Sequence, residues 1–201
     1  MTLEAGMKYE PDSSYVNQHF YDWLVELSND LRNNIDRCAA SVDTETERAI
    51  THFLNRECRL LDDQQFDRWL DLYDEQCAYW IPAERDAANP RQKVTLEFHD
   101  RRRLIDRVAR LGTGLAYSQW PASRTSRLCG DLEIWLGPDA AEEWRVRRNF
   151  IMAEHQGDHV RILAGWYGFA LRRSGGTWKI VVKQVNLLDC DLPQGNNSFF
   201  L

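Results

Sequence analysis

Around Gly112–Gly114 the spacing of apolar residues in this chain changes from three or four positions to two. A period near 3.6 builds helices with one buried stripe, whereas a period of two builds strands with one buried face. The chain must therefore combine a helical first half with a sheet-forming second half.

In the first half, SYVNQHFYDWLVELSNDL carries Tyr15, Val16, Phe20, Trp23, Leu24, Leu27 and Leu31 as a stripe, which predicts an amphipathic helix. A second helix is expected from Thr44 to Leu60, with Ile50, Phe53, Leu54 and Cys58 on one face. A third, capped by Asp62 or Asp63, carries Phe66, Trp69, Leu70 and Tyr73. CAYWIP reads as a short strand stopped by Pro82, and ERDAANPRQ as a loop. VTLEF fits a strand or the lead into a helix. RRRLIDRVARL returns to helical spacing through Leu104, Ile105, Val108 and Leu111, and GTG ends it.

In the second half, LCGDLEIWL places Leu128, Leu132, Ile134 and Leu136 on alternate positions. WRVRRNFIM sets Trp144, Val146 and Phe150 against Arg145, Arg147 and Asn149, and TWKIVV puts Trp178, Ile180 and Val182 on one face. The turns GPDA, HQGD and SGG join these runs into an antiparallel meander. Helices followed by such a meander predict an α+β fold with the helices packed on one face of a long curved antiparallel sheet. That is the cone-like plan of the NTF2/cystatin-like superfamily.

With 201 residues, 43% of them hydrophobic, the chain is long enough for one real core. Residues 1–46 are expected to form an N-terminal helical arm and residues 47–201 the cone domain. The cysteines at 38, 58, 77, 129 and 190 are odd in number and include no Cys-x-x-Cys pair, so they read as reduced thiols of a cytoplasmic protein. No basic start with an apolar stretch and no apolar run of membrane-spanning length occurs, which predicts a chain that neither enters a membrane nor is secreted. Residues 1–75 hold 7 basic and 17 acidic side chains, and the remainder 18 and 14. Such asymmetry marks either an interaction surface or an acidic helical face beside a basic sheet. Nucleic acid is disfavoured, because the net charge is -6 and the RRR run lacks interleaved aromatics.

A cone mouth can serve as an active site if polar groups point into it. His99 is the candidate base, partnered by Asp106 or Glu97, with Tyr79 as a further cone group; His52 could also look inward. The competing reading is that these histidines are structural. His155 and His159 flank the turn QGD with Asp158 and superficially offer two histidines and a carboxylate, but a hairpin tip lacks the rigid support such a metal set needs. No G-x-S-x-G motif or phosphate loop is present. Trp144, Trp166 and Trp178 read as core or interface anchors rather than a ligand cage. The closing residues Phe199, Phe200 and Leu201 are too apolar to stay exposed and are expected to dock on this domain or on a neighbour's.

Four stretches carry a resemblance: FLNRECRLLDDQQFDRWLDLYDEQCAYWIP, DRRRLIDRVARLGTGLAYSQWPASRTSR, WRVRRNFIM and GGTWKIVVKQVNLLDCDLPQGNNSFFL. In this order, over roughly residues 47–201, the sequence resembles the small (beta) subunit of aromatic-ring-hydroxylating dioxygenases. The resemblance implies an NTF2-like cone that carries no catalytic residue, cofactor or metal of its own. It implies an alpha subunit bearing a Rieske [2Fe-2S] cluster and mononuclear Fe(II), an α3β3 hexamer on a beta trimer base, and electrons delivered from NADH through reductase and ferredoxin components. In WPASRTSR, Trp120 and Pro121 are expected to fix a loop and Ser123 or Thr125 to bond local backbone. Arg124 and Arg127 are expected to act as interface or structural anchors, forking onto a neighbouring subunit or onto Asp62, Asp63 or Asp71 of this chain. The CGD at Cys129–Asp131 departs from the family's pattern, where a valine followed by small or amide residues is more usual.

Overall fold

Three helices begin where a short polar side chain accepts a free amide of the first turn. Asn17 accepts from Phe20 at 3.1 Å, Asp43 from Thr46 at 2.8 Å and Asp100 from Arg103 at 2.8 Å. They open α1 (Gln18–Asn33), α2 (Thr44–Asp62) and α4 (Arg101–Gly112). The computed structural model describes residues 13–34, 36, 42–86, 89–114, 116–138, 143–195 and 197–201. Cys38 and the first twelve residues of the expected arm lie outside them. The short α3 (Phe66–Leu70) follows Gln65 and has no side-chain cap. The cap expected from Asp62 or Asp63 is not made there, because Asp62 turns to Thr125 and Arg127, whose guanidinium, hydroxyl and amide together outcompete one helix N–H.

The strands are β1 (Tyr73–Pro82), β2 (Thr95–Asp100), β3 (Arg124–Cys129), β4 (Glu133–Leu136), β5 (Glu143–Gln156), β6 (His159–Ser174) and β7 (Thr177–Leu187). They form one sheet in the order β2-β1-β7-β6-β5-β3, with β4 also pairing to β5. The three long strands β5, β6 and β7 make the meander that the period-two runs predict. One junction differs from an all-antiparallel sheet: β1 runs parallel to β7. Between β1 and β7 the chain runs through β2, α4 and β3 to β6, so no hairpin joins the two strands and imposes antiparallel pairing. From Cys77 to Pro82 β1 is buried at every position, since helices cover both faces; CAYWIP is accordingly a continuous apolar run, not an alternating one.

One sheet face packs on α2, α3 and α4, where Ile50, Leu54, Trp69, Leu104 and Val108 meet Tyr79, Phe150 and Tyr167. α1 lies on the opposite face, with Leu24, Leu27 and Leu31 against Ala78, Trp135, Ala170 and Val182, where packing of all helices on one side was expected. Its acidic positions explain this placement. Arg145 of β5, 1% exposed, lies 2.6 Å from both Glu26 and Asp30 of α1, and the Trp135 indole donates to Asp30 at 2.8 Å. Close approach also requires Gly168, since a Cβ there would stand 2.7 Å from the Leu31 side chain.

Two alternation readings break down locally. LCGDLEIWL is two strands, and Leu128 and Leu136 face solvent while Ile134 is buried. Ile180 packs on the α2 side but Val182 on the α1 side, because β7 changes register against β6 between Ala170 and Leu171, and such an irregularity exchanges the faces.

Candidate functional site

The inside of the cone is built from α2 outward. Ile50, Leu54, Glu57 and Leu61 follow one another at helical spacing on the buried face of α2, so Glu57 projects into the core with no access to water. Its Oε1 accepts from Lys183 Nζ at 2.7 Å and from the Trp69 indole at 2.8 Å. Lys183 is equally buried, and its ammonium stands 4.5 Å from the centre of the Tyr167 ring. An ion pair this deep persists only when its remaining bonding capacity is met, and the indole and the aromatic face supply that.

The chain's closing residues fill the mouth. The Phe200 ring lies 4.4 Å from Trp69, 5.6 Å from Phe66 and 5.8 Å from Tyr79, centre to centre. Leu201 is fully buried, and the Tyr79 hydroxyl donates to its carbonyl at 3.3 Å and accepts from its amide at 3.0 Å. Arg107 of α4 donates to the carbonyls of Asn197 at 3.0 Å and Phe199 at 2.7 Å, with its guanidinium 4.3 Å above the Phe200 ring. Arg127 of β3 binds the Phe200 carbonyl from the other side. Of the two docking places expected for this tail, it occupies its own domain.

The groups considered for acid/base chemistry are divided by this arrangement. Tyr79 and His99 are register neighbours on β1 and β2, with ring centres 6.2 Å apart. Burial pushes the Tyr79 phenol well above its ordinary pKa, and its hydroxyl is committed to Leu201. His99 Nε2 lies 3.1 Å from Arg107 and 3.5 Å from Glu97. Of the two carboxylates considered as its partner, Glu97 is therefore the one in place. Asp106 is on the solvent side of α4, paired with Arg102 at 3.6 Å. Two clefts remain beside the closing residues: one of about 160 Å³, bounded by Leu111, Trp120, Ser123, Phe199 and Phe200 among others, has no acid, base or thiol among its described lining residues, and a more open one of about 520 Å³ is lined by Glu97, His99, Arg107 and Asn197 among others. His155 and His159 flank the β5–β6 turn; His155 Nδ1 is 2.9 Å from Arg124, and His159 pairs with Asp158 in the open. Among the described residues no three His, Cys, Asp or Glu side chains gather as a metal site.

WPASRTSR divides its labour by strand parity. Trp120 is 80% exposed ahead of a cis bond to Pro121. Ser123 and Thr125, expected to bond local backbone, instead donate to carboxylates: Ser123 to Glu154 at 2.7 Å and Thr125 to Asp62 at 2.8 Å. Arg127 points inward, 1% exposed, onto Asp62. Arg124 points outward to His155. The outward face of this part of the sheet is apolar and bare of α1. Leu128 pairs with Ile151, Ala153 with Ile162, and His155 with Val160, so that four exposed aliphatic side chains cover three strands with Arg124 at their edge.

Glu57, Lys183 and Arg107 were not singled out from the sequence. Glu57 sits at core spacing on α2, and Lys183 alternates with Val185 and Leu187, so a charge on each buried period was the available signal.

The family described as the ring hydroxylating beta subunit matches residues 56–194. The benzoate 1,2-dioxygenase subunit beta of Acinetobacter baylyi is 36% identical over 47% of this chain and 59% of its own length. The toluate 1,2-dioxygenase subunit beta of Pseudomonas putida is 35% identical over 69% of this chain and 88% of its own. The chain thus spans little more than half of the first relative and most of the second. The crystal structure of the beta subunit of benzoate 1,2-dioxygenase from Burkholderia mallei superposes with a TM-score of 0.62 at 29% identity, covering 80% of this chain and 99% of that one.

Proposed function

Because the chain belongs to the ring-hydroxylating beta-subunit family, we propose that it is the structural subunit of a multicomponent aromatic-ring-hydroxylating dioxygenase in the cytoplasm. In this reading it holds catalytic alpha subunits in an α3β3 hexamer over a beta trimer base. Each alpha subunit carries the Rieske [2Fe-2S] cluster and mononuclear Fe(II), and NADH supplies electrons through reductase and ferredoxin components. The observation that supports the non-catalytic role is the filled cone: Phe200 and Leu201 occupy its mouth and commit the Tyr79 hydroxyl, and His99, in the open cleft beside them, is held by Arg107 and Glu97. A Rieske centre takes two cysteines and two histidines. No Cys-x-His occurs in this sequence, which supports placing the cluster in the partner.

The exposed aliphatic row of Leu128, Ile151, Val160 and Ile162 is the surface we assign to a neighbouring subunit, with Arg124 at its rim and the exposed Trp120, beside the mouth cleft, as a further anchor. Apolar anchors inside a polar rim are what a lasting seam requires. Within residues 1–46 the described helix α1 elaborates the cone domain of residues 47–201, joined to it through the charges on Glu26 and Asp30.

The test is turnover of an aromatic carboxylate, normalised to iron, by the purified complex carrying His99→Ala. Unchanged turnover per iron supports a structural subunit. A loss of a hundredfold with subunit composition intact would instead give this chain a proton-transfer role of the kind a stand-alone dehydratase or isomerase uses.

A further inference from the structure

Two cysteines far apart in sequence meet where α2 passes the sheet edge. Cys58 Sγ lies 3.7 Å from Cys129 Sγ, on β3. Both are free and partly exposed, and they border an open cleft of about 430 Å³ together with Asn55, Arg59, Asp62 and Arg148. By contrast, Cys77 and Cys190 are buried. We propose that Cys58 and Cys129 are a peroxide-responsive thiol pair that closes into a disulfide, stapling α2 to the edge strand β3.

The two sulfurs are unequally prepared for this reaction. Either thiol can donate in the contact between them; with Cys58 as the donor, and with the charges of Arg148 on β5 and Lys183 on β7, the Cys129 thiol comes down to about 7 against opposition from burial and from Glu57. Cys58 is pushed well above its ordinary value by that same hydrogen bond, by burial and by Glu57, toward which its S–H can also turn at 3.7 Å. Arg59 and Asp62 from α2 and Arg127 from β3 complete the charged surroundings. Cys129 is thus the attacking thiolate and Cys58 the protonated resolving thiol.

In the first step the Cys129 thiolate attacks one oxygen of hydrogen peroxide. The O–O bond breaks, hydroxide leaves and takes up a proton, and Cys129 becomes a sulfenic acid. Cys58 sulfur then attacks Cys129 sulfur, and the displaced hydroxyl leaves as water with the Cys58 proton. Overall two thiols are oxidised to one disulfide and one peroxide is reduced to two waters. The sulfurs must approach from 3.7 Å to the bonded distance of about 2.05 Å, a movement within reach of side-chain rotation.

The experiment treats the full chain in its native assembly with a small excess of hydrogen peroxide, followed by thiol counting and non-reducing peptide mass mapping. The expected result is a Cys58–Cys129 cross-linked peptide, two thiols lost and both restored by dithiothreitol. Cys58→Ser should leave a Cys129 sulfenic acid that dimedone traps, and Cys129→Ser should slow oxidation of Cys58 at least tenfold. The rate should rise with pH as the Cys129 thiolate forms and level off below the pH at which an ordinary cysteine would do so. Oxidation that goes first to Cys38, Cys77 or Cys190, a disulfide to another chain, or a Cys129→Ser protein that oxidises as fast as wild type would overturn the proposal.

Discussion

The hydroxyl of Tyr79 makes two hydrogen bonds to Leu201, donating to its carbonyl at 3.3 Å and accepting from its amide at 3.0 Å. A cone group that could have faced a substrate is thereby bound to the chain's own closing residues. Phe200 beside it fills the space between Trp69, Tyr79 and Phe66. Phe200→Ala should cost about 3–5 kcal/mol in urea denaturation, the range for emptying a buried aromatic site. Tyr79→Phe should cost about 1–3 kcal/mol, since it leaves the Leu201 amide and carbonyl buried without a partner. Denaturation midpoints that do not move in either variant would mean that this segment is not part of the core.

Arg127 and Asp62 hold α2, β3 and the closing segment at one point. Removing one partner of a buried pair strands the other's charge, so Arg127→Ala should lower stability by about 3–5 kcal/mol. Asp62→Ala should cost a comparable amount, and the double variant should cost clearly less than the sum of the two. Equal additivity in a double-mutant cycle would show that the two residues act separately. Arg124→Ala, with its partner His155 at the surface, should change the isolated chain's stability by less than about 0.5 kcal/mol.

Asp100 links stability to pH. Burial alone would raise its carboxyl, but hydrogen bonds from the Arg103 and Ser13 amides, together with nearby Arg102, outweigh burial and hold it below the usual carboxylate value. A depressed value in the folded state contributes stability that is complete above the unfolded value near 3.9 and is lost as pH falls through the lower folded value. Asp100→Asn keeps one capping acceptor but turns an NH2 toward the second amide donor, so it should lower stability at pH 7 and flatten the acid limb below about pH 4. Urea denaturation across that range measures the difference, and an unchanged acid slope would contradict it.

Ile151→Asp places a charge in the middle of the exposed aliphatic row. The isolated chain should fold with its midpoint nearly unchanged, because the position faces water there. Its assembly with copies and partners should weaken at least tenfold in analytical ultracentrifugation, since a buried unpaired charge is costly at a seam. An assembly of undiminished affinity would move the seam elsewhere.

The helix stripes of α1, α2 and α4 and the meander β5–β7 were legible because their periods extend over many residues and one face of each is buried. What was hidden depends on partners distant in sequence. The parallel pairing of β1 with β7, the placement of α1 on the opposite face and the face exchange between Ile180 and Val182 are decided by register and charge, neither of which leaves a local period. In WPASRTSR the pairing of Arg127 with Asp62 was one of the alternatives the residues allowed, and strand parity decided it. Glu57 and Lys183 escaped notice because a single charge within an apolar period does not announce its distant counter-ion.

The most direct test of the subunit role is the native mass and iron content of whatever co-purifies with a tag placed on this chain in the cells that make it. The account predicts a large assembly with equal numbers of this chain and a larger partner, containing three irons per pair, two from the cluster and one mononuclear. An iron-free particle made of this chain alone would contradict it.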